Sequence, residues 1–154
     1  MIQRIQTVYL LLAAAVLVVC LSLPVGVFVS DGMTSGMKMY NLIIVENAVF
    51  HTYNHSACAL FFALLASCAL SLLAIFKYKN RPFQARMCVM ADVLIVVWYL
   101  MYAFYAWSLQ KSYGVPFSVS WTVVLPFVAF VLDIMARRAV MRDERLVKAA
   151  DRIR

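Results

Sequence analysis

Two aspartates and two histidines are the residues of this chain whose types and settings could do chemistry. Asp92 and Asp133 each interrupt a long apolar run. A charged side chain costs roughly 2.5 kcal/mol or more at the centre of a bilayer, so an acid within a span points first to a proton or cation site. Depth argues for the other reading. Asp92 is six residues from Arg86 and Asp133 four from Arg137, which on a helix rising about 1.5 Å per residue sets them only about 9 and about 6 Å below those cations. Asp133 and Arg137 have the i, i+4 spacing of a helical ion pair, and Asp92 is within reach of Arg86 or Arg4. The expected arrangement is a structural ion cluster of Arg4, Arg86, Asp92, Asp133 and Arg137. A small transporter or channel subunit using Asp92 and Asp133 is the alternative.

His51 and His55 are one helical turn apart, a spacing that can bring two imidazoles to one metal ion or haem. The surrounding Phe50-His51-Thr52-Tyr53-Asn54-His55 offers no third ligand, and Glu46 is the only nearby carboxylate. They read as interfacial residues, with a metal or haem site or a membrane enzyme as the rival. Cys20, Cys58, Cys68 and Cys88 all fall inside or at the edge of apolar runs with no CxxC spacing. They read as small buried hydrophobes, without the close pairs that thiol redox chemistry needs. No catalytic or nucleotide motif is present and no cofactor is expected.

The elements that must position these residues are membrane spans. Of 154 residues, 66% are hydrophobic and 14% charged, against about half and about a quarter in soluble domains. The mean hydropathy of +0.88 comes from four runs, so the expected fold is an all-α four-helix membrane bundle forming a single domain. Spans are expected over about 7–29, 56–76, 87–110 and 117–136. An outer loop (30–55), an inner turn (77–86) and a polar tail (137–154) connect and follow them. The first run is too long for a cleaved leader and is expected to be retained. Pro126 implies a kink in the last span. The weak alternation of the outer loop predicts no strand.

Cations set the orientation. Arg4, four residues in the central turn and seven in the tail make 12, against Lys38 and Lys111 on the other side. Loops rich in Lys and Arg stay cytoplasmic, so both termini are expected on the cytoplasmic side. The same crowding at helix ends accounts for the net charge of +7 without nucleic acid. In the second run Ala59, Ala63, Ser67 and Ser71 recur every four residues, joined on the wheel by Ala66 and Ala74, a small-residue face suited to close helix packing. Trp98, Tyr99, Tyr102, Phe104, Tyr105 and Trp107 read as packing and an interfacial belt. The tail is an amphipathic helix, with Arg138, Arg145, Lys148 and Arg152 on one face as an expected interaction surface.

The opening Met1-Ile2-Gln3-Arg4-Ile5-Gln6-Thr7-Val8-Tyr9-Leu10, the ending Arg142-Asp143-Glu144-Arg145-Leu146-Val147-Lys148 through Arg154, and the central Asn80-Arg81 resemble the family known as domain of unknown function 4293. The resemblance implies a small four-helix inner-membrane protein of Bacteroidetes-type bacteria and supplies no substrate, cofactor or catalytic residue. The expected role is non-enzymatic: an accessory subunit, assembly factor or scaffold. Its expected partners are the lipid bilayer and another membrane protein or a second copy of itself.

Overall fold

The computed structural model describes residues 3–28, 37–42, 44–46, 52–54, 58–77, 81–113 and 117–153. Four helices dominate: α1 (Gln3–Ser22), α2 (Cys58–Phe76), α3 (Arg81–Tyr113) and α4 (Val124–Ile153). Three of them carry stretches long and apolar enough to cross a membrane, at Ile5–Ser22, Cys58–Phe76 and Pro82–Ser108.

The helices follow from a common spacing of inward positions. Buried residues recur at Gln6, Leu10, Ala13, Leu17 and Cys20 in α1, at Leu60, Leu64, Ser67, Ser71 and Ala74 in α2, and at Ala129, Asp133, Ala136, Val140 and Asp143 in α4. Alternating steps of four and three average 3.5 residues, the seam of helices packed nearly parallel. α1 packs on α2 and α4, and α3 packs on the same two. Hence α2 and α4 face each other across the bundle. Of the small-residue face of α2, Ser67, Ser71 and Ala74 are buried, Ala59 and Ala63 half-buried and Ala66 exposed, with Leu60 and Leu64 completing the buried arc. Outside this core the helices expose large apolar side chains such as Val18, Phe62, Leu100 and Phe127, as a lipid-facing surface requires.

The chain is not purely helical. Five strands of three residues each, β1 (Gly26–Phe28), β2 (Met37–Met39), β3 (Ile44–Glu46), β4 (Thr52–Asn54) and β5 (Phe117–Val119), form one sheet in the order β4-β3-β2-β1-β5. All four pairings are antiparallel, with Gly26 opposite both Met39 and Val119. The outer segment expected to lack strands therefore supplies three of them. The alternation was weak because strands this short show only one or two inward positions each.

Two expected span ends move for the same reason. Residues 26–28 and 117–119, placed in the first and last spans, pair with each other as β1 and β5. α1 stops at Ser22 because Leu23 precedes Pro24, and the proline ring disfavours helical backbone in the residue before it. Pro126 falls in the first turn of α4, where the missing N–H has no intrahelical acceptor to lose, so it starts the helix and produces no mid-span kink. A short 3₁₀ turn at Trp121–Val123 leads into it. At the other end, α3 already begins at Arg81 and takes in most of the expected inner turn. α4 runs without a break through the tail to Ile153.

Candidate functional site

Three polar layers interrupt the bundle core. Beneath the sheet, the β2–β3 turn inserts Asn41, which is fully buried. Its Nδ2 donates to the Cys20 carbonyl at 2.9 Å and its Oδ1 accepts from Trp98 Nε1 at 3.1 Å. One side chain thus satisfies a carbonyl at the open end of α1 and the indole N–H of α3. Trp98 stacks on Tyr102 with centroids 5.3 Å apart, and the Tyr102 hydroxyl donates to the Val25 carbonyl at 2.9 Å. Tyr99 reaches the Val123 carbonyl at 2.7 Å, and Thr122 the Pro24 carbonyl. These bonds tie the strand ends to the helices.

The middle layer holds the acids. Asp133 is fully buried and Asp92 is 9% exposed. Ser71 crosses from α2 to α4 and lies 3.2 Å from Asp133 Oδ2. Its single proton is also within reach of the Ser67 carbonyl at 3.2 Å, while Ser67 donates to the Ala91 carbonyl at 3.1 Å. The Oδ1 atoms of Asp92 and Asp133 are both buried without a hydrogen-bond partner among the described residues. Ser67 and Ser71, one turn apart on α2, thus link the carbonyl of Ala91, the neighbour of Asp92, to Asp133, and Arg137 is exposed. The expected Asp133–Arg137 contact is not formed: one oxygen of Asp133 is engaged by Ser71, and the other has no partner among the described residues. Arg86 is exposed on α3, and the side chain of Arg4 lies outside the described residues.

The third layer joins the tail to the bundle. Gln6 Nε2 donates to Asp143 Oδ2 at 3.0 Å, with both residues buried and Gln84 buried on α3. Val140 is fully buried one turn earlier. On the opposite side of α4, Arg137, Arg138, Arg142 and Arg145 are exposed. Lys148 and Arg152 of the expected basic face have side chains outside the described residues. His51 and His55 lie outside them as well. Among the described residues no cluster of His, Cys, Asp and Glu has the makings of a metal site.

The family model described as domain of unknown function DUF4293 matches residues 2–153. The chain belongs to the DUF4293 family. No curated protein matches this DUF4293 chain. The family assignment agrees with the resemblance carried by the two ends and the central turn. It extends over both the acids and the basic face of α4.

Sequence reasoning missed Asn41 and Gln6 as organising residues and Gln84 as a buried one. Each is an uncharged polar residue in a polar or end-of-helix context, and nothing local marks such a residue as buried. The 3.5-residue spacing that places Gln6 four before Leu10 and Asp143 three after Val140 was the available signal.

Proposed function

We propose that this DUF4293 protein is a four-span protein of the bacterial inner membrane, with both termini cytoplasmic, that acts without catalysis as an accessory subunit, assembly factor or scaffold. The carrying observation is the build of α4. Its first half contributes Ala129 to the same core as Leu17, Leu64 and Trp98, while exposing Val124, Phe127, Val128 and Val131. That outward face supports its role as the fourth span. Its second half is held to α1 by the Gln6–Asp143 hydrogen bond, with Val140 buried one turn earlier and the arginines left exposed. A basic surface carried on a rigid rod loses little conformational entropy when it docks, which favours a built contact face over a solvated tail.

The test is co-purification of the full chain in mild detergent, comparing wild type with a variant reversing Arg138, Arg145 and Arg152 to Glu. A stoichiometric membrane partner lost in the variant is the expected result. Retention of that partner would remove the tail as the contact surface.

A second reading rests on the two orphan carboxyl oxygens. Buried acids lacking a cationic partner are held neutral or hold a cation. A proton on Asp133 Oδ2 would donate to Ser71 and release the Ser71 proton for the Ser67 carbonyl. This arrangement supports a proton-handling subunit, tested by proton flux in liposomes carrying wild type or Asp92→Asn.

A further inference from the structure

Two grooves meet on the tail-proximal half of α4. One, about 720 Å³, is lined by Ile134, Arg137, Arg138, Met141, Arg142 and Arg145. The other, about 590 Å³, lies between α3 and α4, with Pro82, Ala85, Val89 and Met90 as its apolar wall and Arg86, Arg137, Met141 and Glu144 at its rim. Arg137 and Met141 belong to both. Five arginines therefore stand around the apolar side chains of Ile134, Met141, Val89 and Met90, against Glu144 as the one acid among the described lining residues.

We propose that these joined grooves bind an anionic phospholipid, with phosphate held by Arg137 and its neighbours and acyl chains laid along Ile134, Met141, Val89 and Met90. The charge calls for an anion, and the floor says which kind. Arginine clasps phosphate through paired N–H donors, but a free anion has no use for the methionines. Met90 is 56% exposed and Met141 37%, and an acyl chain covers both. Basic pockets between helices at the cytoplasmic headgroup level are sites of this kind. Along α4, Ile134 to Arg145 spans about 16 Å at about 1.5 Å per residue, enough to run from the acyl region into the headgroups. The acids Asp92 and Asp133 sit deeper and face the core, so they do not compete for this surface. The inference rests on the membrane reading of the chain, not on the identity of any protein partner.

Native mass spectrometry of the full chain in mild detergent tests it, titrating phosphatidylglycerol against phosphatidylcholine of matched acyl chains. Phosphatidylglycerol is expected to bind at least about tenfold more tightly, and millimolar inorganic phosphate should not displace it. Arg137→Gln, which touches both grooves, should remove most of that preference. Arg86→Gln and Arg142→Gln, each touching one groove, should remove part of it, and Lys38→Gln on the sheet none. Equal binding of the two lipids, displacement by free phosphate, or an Arg137→Gln variant with wild-type preference would each overturn the proposal. Alkaline carbonate extraction keeps the two readings apart. A chain washed from the membrane defeats the membrane reading, whereas a chain that stays but ignores headgroup charge defeats only this one.

Discussion

Asn41 and Asp133 are equally buried and oppositely satisfied, and their substitutions should behave differently. Asn41→Ala leaves the Cys20 carbonyl and the Trp98 indole N–H buried without partners, and each such group costs about 1–3 kcal/mol. Thermal unfolding in detergent, followed by near-ultraviolet circular dichroism, should show a clear drop in midpoint. Trp98→Phe should cost less through hydrogen bonding, because only the Asn41 acceptor is orphaned. Asp133→Asn is the contrasting case. The amide oxygen still accepts from Ser71, and among the described residues there is no ion pair for the substitution to break. Its midpoint is expected to stay level or rise, where the ion cluster expected from spacing alone would make it fall. A fall of several degrees, rescued by neutralising Arg137, would restore the ion pair.

At the scale of elements, the joint between β1 and β5 depends on a missing side chain. A Cβ on Gly26 would run into the ring of Phe117, which packs against Tyr102. Gly26→Val must push that ring aside and with it the hold of the sheet on α3. Proteolysis from the outer side should then cut the 30–55 segment faster, while all helices remain inserted. The joint between α1 and the tail is a buried amide-carboxylate hydrogen bond. A double-mutant cycle of Gln6→Ala and Asp143→Ala should give a coupling of about 1 kcal/mol. A cycle that closes at zero would mean that the tail is not anchored through this contact.

The whole molecule makes a prediction of sidedness. The sheet lies at the end of the bundle opposite the basic face of α4, with exposed Lys38 on β2 and exposed Lys77 after α2. In a chain whose partly accessible Cys58 is replaced by Ser, Lys38→Cys should react with an impermeant maleimide in intact spheroplasts. Lys77→Cys should react only after lysis. The reverse pattern would invert the protein and turn its arginines outward. The other native cysteines, Cys20, Cys68 and Cys88, are buried and should stay silent in both cases.

The helices, their apolar character and the helical tail were legible in the chain, because hydrophobic runs and the spacing of a helix face are local properties that survive any packing. The family was legible in the same way, from the residues at the two ends. Strand pairing was not. Three-residue strands carry too little pattern, and Gly26 meets Val119, 93 positions away in the chain, only because α1 ends beside the start of α4. The acids divide along the same line. Their presence and their separation from Arg86 and Arg137 follow from counting residues, but spacing could not say that Asp133 turns toward Ser71 across the bundle while Arg137 turns outward. A helix settles which residues share its face; only the packing of four helices decides which of those faces meets a partner and which is left with none.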